Sequence, residues 1–534
     1  MKNLVVLLSL LVAQTIASSF QPRSPQQGVT IDLGYARYQG VFDPSTNVTD
    51  FIGVRYAAPP TGILRWQAPQ PPAPTTGVQI ANVNPPQCLQ ASGGSAPTNP
   101  FSTSHARRQT PTASEDCLFL HVHFPGDTVP TRKLPVVVWI HGGGYVSGDA
   151  IGFHGSDLIK ESDNGVVAVL IQYRLGLFGF LAGSKVKEGG ALNAGLLDQN
   201  FALRWVQQHI SKFGGDPTQV TIWGQSAGAG SVIQHVIAED GRTTPQLFRG
   251  AMTSSTFLPS QYMFNDPIPE SLYNQVVTQT SCSSAKDSLA CLRATDVNVL
   301  ETANRNISSA AFFGTFAFVP VVDGTFITQR ATEAFKKGRV NGKAVLAVTN
   351  TNEGPPFVNQ SAPADAARYA SSVFPKLGPR EVMEAAKQYA AVGSPLDQVN
   401  QIMTDSIFVC PTYFLLNAFK DRGFKGEFAI PPATHGLDVG YYFPSIGAPV
   451  SFNNTDFLKA FSQSFLSFVI SQNPNNKLDA SNITPPWRLY NQSQTEMMFN
   501  KTADNLPDVR PVTTGRELLE RCRFWESVAG FTGQ

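Results

Sequence analysis

The sequence predicts an α/β protein with a mostly parallel central sheet and helices on both faces. Apolar, β-branched runs typical of buried strands alternate with helical stretches from Lys133 through Phe248. Two glycine-rich loops each follow such a run, at the strand end where open α/β sheets place their ligands. Length alone suggests three or four domains, but this alternation favours a single sheet in that region.

The first loop is His141-Gly142-Gly143-Gly144, directly after the apolar run Leu134–Ile140. Three consecutive glycines by themselves indicate only a flexible turn. At a strand end, however, their backbone N–H groups are available to a bound anion. We therefore interpret this loop as a candidate oxyanion-binding loop.

The second loop is Gly224-Gln225-Ser226-Ala227-Gly228, between the strand-like run Val220–Trp223 and the helical stretch Ala227–His235. A serine at such a turn is held in a tight backbone conformation, and flanking glycines avoid collision with the neighbouring strand and helix. The Ala227 N–H lies at the helix N-terminus, whose dipole favours negative charge. Together, the two loops predict a serine nucleophile with an oxyanion hole.

The general base can be predicted by elimination. In hydrolases with this kind of turn, the acid and then the histidine follow the serine along the chain. Only His235 and His435 follow Ser226. His235 lies nine residues along the same helix, about 13 Å away at the usual rise per residue. His435 is therefore the candidate base.

The residues alone leave the acidic partner open. Glu353 comes just after the strand-like run Ala344–Val348 and is followed by Gly354, and a loop at a strand end is the expected place for the acid. Asp405 and Asp323 are the alternatives, because any one carboxylate is more often a solvated surface charge.

Further motifs occur in order along the chain, namely Ser114–Leu120, Tyr173–Phe180, Leu196–Leu203, Phe318–Gly324, Thr351–Gly354 and His435–Asp438. Together with the two loops, they resemble the type B carboxylesterase and lipase family. That family includes cholinesterases, secreted fungal lipases and the non-catalytic neuroligins. The resemblance extends over nearly the whole chain and implies one large domain with an α/β-hydrolase fold over residues 18–534.

The resemblance also implies roles for individual residues. It makes Ser226, Glu353 and His435 the catalytic triad, with Gly143, Gly144 and Ala227 as oxyanion donors. It places four residues in the substrate pocket, namely Gln225, Gly314, Phe316 and Phe318, and the missing side chain of Gly314 would widen that pocket. Phe312 and Phe313 lie in the same segment but fit a plain core role equally well. Of the fifteen possible pairings of six cysteines, it favours Cys88–Cys117, Cys282–Cys291 and Cys410–Cys522.

One departure from the family pattern bears on the substrate. The residue before the nucleophile is commonly glutamate in the family and is Gln225 here, which removes a negative charge beside the reaction centre. The segment between Cys88 and Cys117 also contains no tryptophan, which cholinesterases use to bind a cationic head group. Both observations disfavour cholinesterase activity.

The N-terminus predicts secretion. Lys2 precedes the apolar run Leu4–Val12, and Thr15-Ile16-Ala17 offers small residues for cleavage, so residues 1–17 are interpreted as a signal peptide. The C-terminal residues lack the hydrophobic tail of a lipid-anchor signal, so we expect no membrane anchor. Seven Asn-x-Ser/Thr sites fit a secreted glycoprotein: Asn47, Asn306, Asn359, Asn453, Asn482, Asn491 and Asn500.

Charge and composition restrict the partners. A formal net charge of +1 without a long basic cluster disfavours nucleic-acid binding. No Cys-x-x-Cys motif or histidine-rich cluster indicates a metal site, and we expect neither a metal nor another cofactor. The expected partner is a small-molecule ester substrate. No feature of the sequence indicates an oligomeric state.

Three functions fit these observations. The first is a secreted serine carboxylesterase working through an acyl-enzyme intermediate. The second is a lipase or sterol-ester hydrolase. The loop between Cys88 and Cys117 disfavours the second, because Leu89 and Phe101 are its only large apolar residues and it offers little surface to a lipid interface. The third is a neuroligin-like binding protein, disfavoured because all three triad candidates are present.

Overall fold

A large mixed sheet organises the chain. The computed structural model describes residues 26–97, 113–447 and 450–534. The predicted signal peptide at 1–17 and most of the loop between Cys88 and Cys117, including Phe101, lie outside the described residues. Within them are thirteen strands: β1 (Gln26–Asp32), β2 (Arg37–Asp43), β3 (Val48–Arg55), β4 (Val78–Ile80), β5 (Phe119–Pro125), β6 (Leu134–Ile140), β7 (Val167–Ile171), β8 (Gly215–Gln225), β9 (Gly250–Ser254), β10 (Ala344–Asn350), β11 (Gly423–Phe428), β12 (Thr495–Lys501) and β13 (Pro507–Thr513).

The centre of the sheet is parallel, as predicted. The strand order is β1-β2-β3-β5-β7-β6-β8-β9-β10-β11-β12-β13, with β4 beside β2. From β7 to β12 every neighbouring pair is parallel. The N-terminal flank, β1-β2-β3-β5-β7, and the last pair, β12-β13, are antiparallel. The sequence predicts the parallel centre but gives no indication of these antiparallel edges.

Helices cover both faces of the sheet. They are α1 (Gly155–Glu161), α2 (Gly176–Phe180), α3 (Ser184–Gly189), α4 (Ala194–His209), α5 (Ala227–Gly241), α6 (Pro267–Gln279), α7 (Ser288–Ala294), α8 (Val297–Ala310), α9 (Ala331–Lys336), α10 (Ala366–Val373), α11 (Pro379–Gln388), α12 (Pro395–Met403), α13 (Cys410–Phe419), α14 (Val439–Tyr442), α15 (Thr455–Ser471), α16 (Tyr490–Ser493), α17 (Arg516–Ser527) and α18 (Ala529–Thr532). A π-helical segment, Thr404–Val409, joins α12 to α13.

Two hydrophobic cores lie on opposite faces of the sheet. Along β6, Val136 and Val138 pack into one core with α4, α5 and α13, whereas Val137 and Trp139 pack into the other with α1 and α15. Side chains alternate between the faces of a strand, and here both faces are covered. This is why the central strands are continuously apolar rather than alternating.

One helical stretch is long and apolar enough to cross a membrane. Among the described residues only Pro395–Phe419 meets that criterion, and 94% of its most apolar window is buried inside the protein. It packs in the larger core, where its side chains include Phe408 and Leu415.

The six cysteines form three disulfides, with the pairing that the family resemblance implies. They are Cys88–Cys117, Cys282–Cys291 and Cys410–Cys522. The last one joins α13 to the C-terminal helix α17, across a sequence separation of 112 residues.

The predicted glycosylation sites differ in exposure, and the structure contradicts one of them, because its side chain is buried. Asn47, Asn359 and Asn453 are exposed. Asn482 is buried, its Nδ2 donates to the Lys459 carbonyl at 3.2 Å and its Oδ1 accepts from the Thr484 N–H. Because a glycan would be attached to that Nδ2 atom, Asn482 is unsuitable as an acceptor. Half-buried sites are Asn306, Asn491 and Asn500.

We expect removal of two of the disulfides to destabilise the protein by different amounts. Replacing Cys410 and Cys522 by alanine should lower the free energy of unfolding by about 4–5 kcal/mol, because the bond closes a long loop in the unfolded chain. Replacing Cys282 and Cys291, separated by nine residues, should cost about 2–3 kcal/mol. Urea titration measures both, and equal losses would contradict the loop-entropy account.

Candidate active site

Ser226 lies at the sharp turn between β8 and α5. Its backbone is held at φ 57° and ψ −124°, a conformation that a non-glycine residue rarely adopts. A Cβ on Gly224 would lie 2.3 Å from the Gly228 backbone, and a Cβ on Gly228 would lie 2.0 Å from the Ile140 carbonyl oxygen. Glycine is therefore required on both sides of the serine. The turn holds Ser226 at the carboxyl edge of the sheet.

The triple-glycine loop leaves the same edge of the sheet. Ile140 and Gly224 are register partners in the neighbouring strands β6 and β8, so the loops that follow them are adjacent. Gly143 and Gly144 have φ values of 104° and 64°. In the described part of the chain, the N–H groups of Gly143, Gly144 and Ala227 donate to no backbone carbonyl. All three donors are therefore available to a ligand.

His141 fixes the start of this loop. Its ring stacks on Tyr173 with centroids 4.5 Å apart, and the Tyr173 hydroxyl donates to the His141 carbonyl at 2.9 Å. The His141 Nδ1 lies 2.9 Å from the Gly142 carbonyl oxygen. These contacts order the loop before any ligand binds, which is what an electrostatic site requires.

His435 and Glu353 form a buried pair beside the serine turn. The His435 Nδ1 lies 2.6 Å from Glu353 Oε2, and the other carboxylate oxygen accepts the Asn350 N–H at 2.7 Å. The Glu353 side chain is fully buried. The Asn352 N–H donates to the Ala433 carbonyl at 2.9 Å, which ties the acid loop to the histidine loop. The structure thus brings together the two residues that the sequence predicts as partners.

The alternative residues are engaged elsewhere. Asp405 is buried in an ion pair with Arg521 at 2.6 Å. Asp323 accepts hydrogen bonds from backbone N–H groups, including that of Phe326 at 2.8 Å. His235 is buried against Gln199, and burial lowers its pKa to about 3. Each of these groups has a structural partner in the fold.

Gln225 lies directly against the histidine. Its Nε2 amide is 3.2 Å from the His435 Nε2. In the neutral imidazole that carries its proton on Nδ1, towards the Glu353 carboxylate, Nε2 is a hydrogen-bond acceptor and the amide donates to it. Within the described residues no hydrogen bond joins the Ser226 hydroxyl to His435. The sequence places Gln225 in the substrate pocket, but it does not reveal this contact.

An aromatic wall, formed by Phe316, Phe357 and Phe408, borders the site. The rings of Phe357 and Phe408 lie 4.9 and 4.7 Å from the His435 ring, measured between centroids. Phe316 packs on the oxyanion loop so closely that a Cβ on Gly144 would lie 2.0 Å from its ring. The wall therefore touches both His435 and the triple-glycine loop.

A large apolar cavity lies behind the aromatic wall. It has a volume of about 360 Å³, within the usual range for small-molecule sites. All three wall residues line it, together with Phe257, Phe318 and Phe374.

Gly314 does not widen this cavity in the way its missing side chain suggests. Gly314 lines the cavity, but its φ is 75° and a Cβ there would lie 2.0 Å from the Phe357 carbonyl oxygen. The backbone of Phe357 thus occupies the space next to Gly314. Phe312 is a core residue, and Phe313 lines a separate cavity of about 180 Å³.

Phe408 is carried by the π-helical segment Thr404–Val409. π-Helical turns are rare, and many of them occur at functional sites. The segment is anchored to α17 on both sides of Phe408, by the Asp405–Arg521 ion pair and by the Cys410–Cys522 disulfide. The C-terminal helix therefore holds one residue of the aromatic wall in place.

Comparison with known proteins identifies the family. The model of the carboxylesterase family matches residues 27–525. The chain belongs to the carboxylesterase family. It is 30% identical to Lipase 1 of Geotrichum candidum (84% of this chain, 88% of that protein) and 29% identical to Carboxylesterase patB of Penicillium expansum (93% and 95%).

A solved structure also resembles the whole fold. The crystal structure of Aspergillus niger EstA matches with a TM-score of 0.85 and 31% identity, over 95% of this chain and 99% of that one. The predicted α/β-hydrolase fold is thereby confirmed. The chain is a carboxylic ester hydrolase of the α/β-hydrolase fold.

A second buried carboxyl group lies beneath the histidine pair of this carboxylesterase. Asp438 accepts hydrogen bonds from Asn350 at 3.0 Å and from Tyr442 at 3.1 Å. Burial, together with the nearby Glu353 carboxylate, raises its pKa to about 6 against the opposing effects of Asn350, His435 and Tyr442. Asn350 thus connects this group to the acid of the pair.

Several residues at the site have weak sequence signals or none. Phe357 follows Glu353 by four residues, and Asp438 belongs to the His435–Asp438 motif, so both could have been noticed. Phe408 carries no local signal, because it reaches the site through the fold. Among the described residues, no group of three or more His, Cys, Asp or Glu side chains could hold a metal ion.

The buried Asp438 predicts a pH-dependent stability. Its pKa is higher in the folded protein than in the unfolded chain, so its contribution to stability is complete at acidic pH and is lost as the pH rises through about 6. The variant Asp438→Asn carries an uncharged amide at this position and avoids that loss. We expect the variant to gain up to about 3 kcal/mol over the wild type between pH 4 and pH 7.

Urea titration across this pH range measures the difference. The variant Asp504→Asn, at an exposed position, serves as the control. If Asp438→Asn follows the wild type at every pH, the raised pKa of Asp438 is refuted.

Proposed function

We propose that this protein is a secreted serine carboxylesterase in which Ser226, Glu353 and His435 form the catalytic triad. The observation that carries the proposal is the buried pair of His435 and Glu353, 2.6 Å apart, beside a serine held in a strained turn. A carboxylate on Nδ1 leaves Nε2 as the basic nitrogen of the imidazole. That arrangement is the one needed to activate a weak nucleophile.

The proposed reaction starts with attack of the Ser226 hydroxyl oxygen on the ester carbonyl carbon. His435 Nε2 accepts the hydroxyl proton, and Glu353 stabilises the imidazolium that forms. The carbon–oxygen bond to the alcohol then breaks, and the imidazolium returns the proton to the departing alcohol. A water molecule, deprotonated by the same nitrogen, hydrolyses the acyl-enzyme and releases the acid.

The negative oxygen of each tetrahedral intermediate needs fixed donors. We assign this role to the N–H groups of Gly143, Gly144 and Ala227, none of which has a backbone acceptor among the described residues. One such donor contributes about 3–4 kcal/mol to the transition state in other serine hydrolases. The N-terminus of α5 adds a favourable dipole.

The apolar cavity bears on the size of the substrate. We propose that it receives the apolar part of the ester, which favours medium-chain esters over acetate. The second candidate, a lipase or sterol-ester hydrolase, gains support from the same cavity. Against it stands the polar character of the loop between Cys88 and Cys117.

Secretion is proposed from three features of the chain. Residues 1–17 have the pattern of a signal peptide. The three disulfides are typical of an oxidising compartment. The exposed glycosylation sites Asn47, Asn359 and Asn453 fit the same route.

The first experiment is hydrolysis of p-nitrophenyl esters from acetate to palmitate, by the full chain and by Ser226→Ala. We expect the wild type to work fastest on medium-chain esters such as octanoate, and Ser226→Ala to lose about 10⁴-fold or more in kcat/KM. A maximum at palmitate would favour the lipase. Equal turnover by both proteins would refute the triad, and no turnover by either would favour a binding protein.

Phe316 tests the role of the cavity. Its ring separates the oxyanion loop from the cavity, so Phe316→Ala should open the passage to longer chains. We expect the ratio of kcat/KM for palmitate to that for butyrate to rise about tenfold, a typical gain for pocket residues. Phe313→Ala, which alters the separate cavity, is the matched control. An unchanged ratio in Phe316→Ala would show that the chain does not pass this ring.

A further inference from the structure

The hydrogen bond between Gln225 and His435 raises a question about the proposed mechanism. The imidazole Nε2 that must accept the serine proton accepts a hydrogen bond from the Gln225 amide, at 3.2 Å. The same amide donor cannot face a protonated Nε2–H, because two donors would then oppose each other. The resting contact therefore favours the neutral imidazole, which is the form that acts as a base.

The Gln225 amide is confined by the two loops of the site. A Cβ on Gly142 would lie 2.6 Å from its Oε1, whereas a Cβ on Gly436 would make only an ordinary contact with its Nε2, at 3.5 Å. Gly142 thus leaves room for this side chain, which lies between the oxyanion loop and the histidine loop. Its amide is positioned by the site and is not a freely moving surface group.

The other groups around His435 are the Glu353 carboxylate on Nδ1 and the rings of Phe357 and Phe408. Asp438 interacts with both His435 and Glu353 from below, through the charges of the site. A carboxylate in contact with Nε2 would favour a charged imidazole, whereas the amide of Gln225 adds no charge.

We propose that Gln225 is a positioning residue that keeps His435 an unprotonated hydrogen-bond acceptor and so extends esterase activity to lower pH. The inference rests on the proposed function, because it requires His435 to be the base. During turnover the Ser226 hydroxyl takes the place of the amide at Nε2, and the proton that Nε2 gains goes to the departing alcohol.

The test is the pH dependence of kcat/KM in the wild type, Gln225→Glu and Gln225→Met, with p-nitrophenyl butyrate between pH 4 and pH 9. The acid limb of this profile reports the pKa of the base in the free enzyme. Glutamate keeps the shape of the side chain and adds the charge, so Gln225→Glu should move the acid limb upward by about one pH unit. Its rate well below the limb should then be about tenfold lower than that of the wild type.

Gln225→Met separates charge from hydrogen bonding. It removes the donor without adding a charge, so its acid limb should move upward, by less than half the shift in Gln225→Glu. A purely structural role would lower kcat at all pH values without moving the limb. An unmoved limb in either variant, or equal shifts in both variants, would overturn the proposal.

A second readout covers the case in which a variant is poorly folded. Labelling of Ser226 by diethyl p-nitrophenyl phosphate counts the competent sites, and its rate as a function of pH reports the same base without the deacylation step. The limb in Gln225→Glu should move by the same amount in this assay. Loss of labelling in Ser226→Ala tests the triad separately, so failure of the triad and failure of this inference give different results.

Discussion

The whole site depends on the close approach of three backbone segments at the carboxyl edge of the sheet. Gly224, Gly228 and the carbonyl of Ile140 are so near one another that no side chain fits between them. This contact fixes α5 against β6 and β8, and it places the serine, the oxyanion loop and the start of the helix within one small region. The two apolar cores supply the packing that holds these strands together.

The sequence predicts much of this arrangement, because the relevant signals are local. A glycine pair around Ser226, three glycines after β6, and an acid after β10 each reflect a constraint that operates within a few residues. The order of serine, acid and histidine then restricts the base to His435. The parallel centre of the sheet is predicted for the same reason, since strands buried on both faces are continuously apolar.

The features that the sequence does not predict depend on contacts between distant segments. Phe408 reaches the histidine only because a π-helical turn directs it there, and the composition of that helix does not distinguish it from other core helices. The neighbour of Gly314 is the backbone of Phe357, which cannot be read from either residue. Buried Asn482 has the sequence motif of a glycosylation site. Only the structure shows that its amide already donates a hydrogen bond to the Lys459 carbonyl.

The anchoring of the π-helical segment to α17 has a consequence for how this enzyme could change during evolution. The Asp405–Arg521 ion pair and the Cys410–Cys522 disulfide make no contact with Ser226 or His435, yet they fix the position of Phe408. Substitutions on the C-terminal helix can therefore alter the shape of the apolar cavity without touching Ser226 or His435. Substrate preference can thus diverge among relatives while the reaction chemistry is preserved.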